Sequence, residues 1–305
     1  MSWNLYCLRM KLKSPLHIGT YKISNFDPTR FYVPGKVLWG ALTATITHNL
    51  YSRDYLGVGN FLSTFLKFGY YFPSMINDDG YEEIFYPKYT LKGLQYGNLS
   101  EVEFKSQFIS SQASAAIDPY SKTSEEKMLH EMEFINSHTI VSDDEVSNQI
   151  FLKGLLWIKE AKTQDYKLEV IDNYIHFKNV DIDINIHTDL KNLLQIGGER
   201  KYGFGIIELE KLDENYGLFQ FDWEERNREI LIYMEKNSYV WAHVEHNEKL
   251  KIKGNIEPFV SRVWGEDGAG IMIEQHAYHW VPGSQIFEDI KFKICKYGIW
   301  KQHFS

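Results

Sequence analysis

Four glycines, two cations and two aromatics fall within nine residues, Gly197 to Gly205, in the order Gly-Gly-Glu-Arg-Lys-Tyr-Gly-Phe-Gly. Glycine lets a backbone come close to a ligand because no side chain intervenes. Arg200 and Lys201 supply positive charge, and Tyr202 and Phe204 supply flat faces. Together these suit a single-stranded nucleic acid, whose phosphates need neutralising and whose bases stack. One aromatic of the pair is expected to stack on a base and the other to pack in the core; the residues leave open which. A dinucleotide cofactor is excluded by order. That site needs strand, glycine loop, helix, so that the helix N-terminus faces the pyrophosphate. Here a helix-like run, Asp189 to Ile196, comes before the loop, and a strand-like run, Phe204 to Leu212, comes after it.

Other candidate chemistry is sparser. His17 stands in the loop Pro15 to Gly35, beside Gly19 and Thr20. It is the best candidate for acid–base cleavage of RNA, which needs a base for the 2′-hydroxyl and an acid for the leaving oxygen. Asp27 is the only acid in that loop and the only candidate there for metal-dependent cleavage; Asp27-Pro28 reads better as a turn start, with Asp capping its own backbone. His243 and His246, and His276 and His279, have i, i+3 spacing. In a strand these point to opposite faces, so no metal site is expected. No Walker sequence and no Gly-x-Ser-x-Gly occurs, which leaves NTPase and serine-hydrolase readings unsupported.

The elements that must position these residues read as follows. Trp3 to Lys13 alternates Leu8, Met10 and Leu12 with Arg9, Lys11 and Lys13, the pattern of a half-buried strand with a basic face. Pro34-Gly35 punctuates the entry to a helix over 36–50, with Leu38, Leu42, Ile46 and Leu50 on one stripe. A second helical stretch carries Phe61, Phe65 and Phe68. Ser110 to Asp118 is small and polar, Ser121 to Glu133 contains an acidic helix-like run, and 142–145 is an acidic turn. Gln149 to Glu160 is a strongly apolar strand. Beyond Asp213 short strands alternate with glycines, prolines and charges. The order to residue 212 fits an elaborated ferredoxin-like sheet with one open face. The fold expected is α+β: residues 1–213 form that domain with insertions, and 214–305 form a smaller β-rich domain.

The 305 residues carry a net charge of −8, which by itself argues against a nucleic-acid partner. Its distribution argues otherwise. Residues 1–60 hold seven Lys/Arg against two Asp/Glu, whereas 61–160 hold eight against fifteen. Arg9, Lys11, Lys13, Arg30 and Lys36 are therefore expected to join Arg200 and Lys201 in one positive face. A protein–protein scaffold without RNA contact is the competing class, to be favoured if these cations scatter. Two cysteines, Cys7 and Cys295, give neither a disulfide framework nor a zinc ribbon. No leader-like start and no apolar run near 18 residues occurs, so a cytoplasmic protein with no membrane partner and no cofactor is expected.

Several stretches resemble the RAMP superfamily of CRISPR-associated proteins. Gly197–Gly205 is similar to the glycine-rich loop before that family's final strand. Pro15-Leu16-His17-Ile18-Gly19-Thr20, followed by Tyr32-Val33-Pro34-Gly35-Lys36-Val37-Leu38, resembles its first loop and helix entry. Residues 115–119 and 129–133 resemble the middle segment of type III members. Trp280-Val281-Pro282-Gly283-Ser284, then Tyr297-Gly298-Ile299-Trp300, resembles the closing segment of the type III-D branch. Within the superfamily the likeness is to the Cas-five-type subunit that grips the 5′ handle of the guide RNA. It implies a ferredoxin-like RNA-binding core and a non-catalytic subunit with no cofactor. It also implies guide RNA, backbone subunits and a large subunit as partners. The RNA contacts it implies are His17, Gly19, Thr20, Arg30, Lys36, Gly197, Gly198, Arg200, Lys201, Tyr202, Gly203, Phe204 and Gly205. A metal-independent endoribonuclease acting through His17, or a target-cleaving backbone subunit acting through Asp27, are the alternatives.

Overall fold

The computed structural model describes residues 2–77, 79–114, 130–140, 147–215, 217, 219, 221–265 and 268–304, and within these the side chains of 261–271 and 274–276 are left aside. The segments expected at 115–129 and 142–145 lie outside the described residues.

Strand β1 (Asn4–Leu12) is followed by helices α1 (Gly35–Asn49) and α2 (Tyr55–Phe65). Gly35 is required at the helix entry. A Cβ there would stand 2.6 Å from the Phe68 carbonyl and 2.8 Å from that of Gly69, so the first turn rests on the strand behind it. Asp54 caps α2, its Oδ1 accepting from the Gly57 amide at 2.8 Å. The chain then runs straight into β2 (Leu66–Ile76), which pairs with β3 (Glu82–Ile84). Ser100 and Glu103 form a reciprocal capping box on α3 (Glu101–Phe108). Next come β4 (Ile109–Ser114), β5 (His130–Ile135), β6 (Phe151–Ile158) and β7 (Ile207–Leu209).

The central sheet has the order β7-β1-β6-β2-β3, all antiparallel. One face carries Leu8, Met10, Leu12, Leu152 and Leu156, buried with Leu38, Leu42 and Ile46 of α1 and Val58 and Leu62 of α2. The other face was expected to be open, and it is not. Leu5, Cys7, Tyr70, Phe72, Leu155 and Trp157 are buried on it with Ile230, Ile232, Phe292 and Trp300. Those partners belong to a seven-stranded sheet that includes β8 (Glu229–Met234), β9 (Ile256–Gly265), β10 (Gly268–Trp280), β11 (Ile290–Ile294) and β12 (Trp300–Gln302). The physical reason is visible in β1 itself: Leu5 and Cys7 make its second face apolar at one end, and only Arg9 and Lys11 make it polar at the other.

Two further expectations give way. The helix-like run before the glycine loop is a series of turns, interrupted at Asn192 with φ +64°. The run ending at Glu133 contains strand, because β5 pairs with β4 and, in parallel, with the short strand Phe26–Asp27. Among the described residues no helix is long and apolar enough to cross a membrane.

Candidate nucleic-acid interface

The glycine loop and the first loop are built against each other. The Gly198 amide donates to the His17 carbonyl at 2.9 Å, and the Gly205 amide to that of Pro15 at 2.7 Å. The Ile206 amide donates to Ser14 Oγ at 2.9 Å. Residues 200–202 form one turn of 3-10 helix between Glu199 and Gly203, both in the left-handed region.

These contacts correct the role expected of the glycines. A Cβ on Gly205 (φ +76°) would lie 1.9 Å from the Ile196 carbonyl oxygen, and one on Gly197 (φ +80°) 2.3 Å from that of His17. A Cβ on Gly198 would touch the His17 ring at 3.1 Å. Their missing side chains admit the chain's own backbone and ring, and only Gly203 opens on empty space. The aromatic pair divides as well. Tyr202 is 79% exposed, and Phe204, 7% exposed, packs edge-on against Phe134 at 5.3 Å.

Both loops wall one cleft of about 700 Å³, which also takes in residues from β4 and β5. His17 lies on one side, with Lys22 and Asp27; Glu199, Tyr202 and Phe204 lie on another. His17 is nearly buried, and its Nδ1 donates to the Glu133 carbonyl at 2.8 Å, which in the neutral ring leaves Nε2 as the acceptor. The Asp27 carboxylate takes the Lys22 ammonium at 3.1 Å instead of capping its own backbone. Asn25, Gln112, Ser114 and His130 line the same cleft. None of these four was singled out from the sequence. The antiparallel pairing of β4 with β5 sets Gln112, Ser114 and His130 side by side, and the parallel pairing of Phe26–Asp27 with β5 adds Asn25; a two-residue strand leaves no periodicity to read.

The expected positive face is largely neutralised. Arg9 is bonded to Glu210, Arg30 to Glu257, and Lys13 stands 3.8 Å from Glu208. Lys36 lies over the Tyr297 ring, 4.5 Å from its centroid. Arg200 and Lys201 are exposed on the turn between Glu199 and Tyr202, which line the cleft.

A second polar cluster was also not anticipated. His243 is fully buried; Tyr70 Oη donates to its Nδ1 at 2.6 Å, and its Nε2 donates to Glu257 at 2.5 Å. Burial pushes the His243 imidazole down to about 4 despite that carboxylate. Against the burial that would raise it, the His243 bond and the nearby Arg30 charge hold Glu257 below the usual carboxylate range. His246, three residues on, is exposed beside Trp280, 5.7 Å between ring centroids. The side chain of His276 is not described, and among the described residues no cluster of His, Cys, Asp and Glu is suited to a metal.

The family model of the RAMP superfamily matches residues 9–208. No curated protein matches the chain significantly. Among solved structures, the chain is similar to one in a cryo-EM structure of the Type III-B Cmr-beta bound to cognate target RNA and AMPPnP. There the identity is 10%, covering 92% of this chain and 85% of that one, with a TM-score of 0.49. A chain in the same assembly bound to cognate target RNA gives 10% identity, 92% and 86% coverage, and a TM-score of 0.45. The apo state gives 12% identity, 68% and 97% coverage, and 0.35. The family match extends over about two thirds of the chain, from β1 through the glycine loop to β7, so the chain belongs to the RAMP superfamily.

Proposed function

We propose that this chain is a non-catalytic subunit of a CRISPR effector ribonucleoprotein. It binds the 5′ handle of the guide RNA in the cleft between its first loop and its glycine loop, and so caps the backbone filament. One observation carries the reading: the two loops are hydrogen-bonded into one wall system, with exposed Arg200, Lys201 and Tyr202 standing beside a polar cleft. The strand order supports it. Taken in chain order, β1, β2, β6 and β7 lie as last, first, third, second, the order of a ferredoxin-like sheet, with turns replacing the second helix. Its partners are the guide RNA, backbone subunits and a large subunit, in the cytoplasm.

The test is binding of handle RNA by Arg200→Ala/Lys201→Ala. Affinity is expected to fall by on the order of tenfold, and the slope of log affinity on log salt by about 1.4 if each cation serves one phosphate of a single strand. Unchanged affinity with an unchanged slope refutes the reading.

A metal-independent endoribonuclease is the second reading. It is favoured by the Nε2 of His17, left as an acceptor by its Nδ1 bond, in a cleft that also holds His130. Incubation of the full chain with repeat RNA in EDTA decides it: discrete cleavage abolished by His17→Ala would replace the non-catalytic reading, and intact RNA would retain it.

A further inference from the structure

The chain from Ile18 to Arg30 is a finger hydrogen-bonded to itself. The Arg30 amide donates to the Ile18 carbonyl at 2.7 Å, the Ile18 amide to Thr29 Oγ1 at 2.8 Å, and Ile23 and Phe26 exchange two bonds of 2.9 Å at the tip. The finger is a partition between two clefts. His17, Lys22 and Asp27 line the cleft described above; Gly19, Tyr21 and Arg30 line a second, of about 460 Å³. Consecutive residues, Tyr21 and Lys22, thus face different clefts. The second cleft is lined as well by Ile256, Glu257, Pro258 and Val260 of β9 and by Lys36 at the start of α1.

The finger presents apolar groups to solvent. Tyr21 is 69% exposed and Ile23 50%. Behind them stands charge. Arg30 bonds Tyr32 and Glu257 through Nη1, which leaves Nε and Nη2 without a protein partner among the described residues. An apolar wall and one exposed aromatic on a preformed partition fit a base, and the finger's two cations, Lys22 and Arg30, are paired within the chain to Asp27 and Glu257.

We infer that this finger parts two consecutive nucleotides of the bound single strand. One base enters the His17–Tyr202 cleft, and its neighbour enters the Arg30–Val260 cleft, a second nucleotide subsite. Tyr21 stands between them as the wedge that breaks their stacking, as inserted apolar side chains do in nucleic acids. The phosphate joining the two crosses the finger, whose Lys22, paired with Asp27, lines one cleft and whose Arg30, paired with Glu257, lines the other. The inference rests on the proposed RNA-binding reading.

The experiment uses the full chain and single-stranded handle RNA carrying 2-aminopurine, moved one position at a time. One position is expected to brighten on binding, where stacking is broken. The rise is lost in Tyr21→Ala and kept in Tyr21→Phe, and Tyr21→Ala weakens binding by about tenfold. Val260→Glu, which adds to the second cleft, at an exposed site, a carboxylate without the Arg30 partner that Glu257 has there, is expected to weaken binding by a similar factor. RNA that binds in an Arg200/Lys201-dependent manner, with no position brightening and with both variants neutral, overturns the wedge and leaves the proposed function standing. Val260→Glu that releases a protein partner while RNA affinity holds assigns the second cleft to protein contact and also overturns it. Failure of any RNA to bind removes both readings.

Discussion

Gly205 and Gly203 stand two residues apart at φ +76° and +83°, and they do different work. A methyl group at Gly205 would meet the Ile196 carbonyl at 1.9 Å, a backbone atom that cannot move without breaking the Ile196 amide bond to the Gly205 carbonyl at 2.9 Å. A methyl group at Gly203 would meet nothing. Gly205→Ala is therefore expected to cost on the order of 4 kcal/mol or more, because overpacking adds to the left-handed penalty. Gly203→Ala is expected to cost about 1 kcal/mol, the left-handed penalty alone. Urea denaturation of the two variants checks the ranking; equal losses would mean the loop does not hold this geometry in solution. The contrast marks what a sequence carries at this scale. Four glycines announce close approach. They do not say whether a ligand or the chain's own carbonyl arrives, because only the folded backbone brings up the carbonyls of Pro15, His17 and Ile196. Tyr202 and Phe204 were undecided for the same reason: Phe134, which buries Phe204, is seventy residues away in the chain.

Elements were legible where one residue pattern met one environment. Helix α1 satisfies its pattern outright: Leu38, Leu42 and Ile46 are buried on a single face. The run from Leu190 to Ile196 shows the limit. Leu190, Leu194 and Ile196 are buried as a helix would bury them, yet the backbone makes other bonds. The Asn185 side chain accepts from the amides of His187 and Thr188 at 3.0 and 3.2 Å, an Asx-type turn that competes with helix. The Ile196 amide then bonds across to Gly205, and the Ile207 amide to the Leu194 carbonyl at 3.1 Å. The apolar spacing was right and the hydrogen-bond destination was not, since spacing reports burial and not bonding. Strand β1 erred differently. Its alternation at Leu8, Met10 and Leu12 was genuine, but Leu5 and Cys7 before Leu8 belong to a second buried face, and a window over 8–13 alone hides it. The finger Ile18–Arg30 had no periodicity at all; its two clefts exist because it stands between β5 and β9, which the chain order keeps far apart.

At the scale of the whole molecule, charge and buried histidines decide how the two sheets hold together. The surplus of cations in residues 1–60 was legible; its neutralisation by Glu208, Glu210 and Glu257 from the far half of the chain was not. The network joining the sheets runs from Tyr32 and Tyr70 in the first half to His243 and Glu257 in the second. His243 is neutral in it, pushed down to about 4 by burial. Burial pushes His187 to about 4 as well, and lowers His279. Above pH 6.5 folded and unfolded chains both carry these rings neutral, so they impose no penalty. Below 6.5 the unfolded chain binds protons that the folded chain refuses, and stability falls until the folded rings themselves titrate. Each fully buried ring contributes at most about 1.4 kcal/mol per pH unit in that window. Thermal midpoints between pH 8 and 4.5 are expected to be level above pH 7 and to drop progressively below 6.5. His187→Gln, which cannot titrate and sits away from the sheet junction, is expected to drop less steeply. A wild-type profile that stays level to pH 4.5 would mean that these rings reach water in the folded chain, and that the two sheets are not closed on each other around His243.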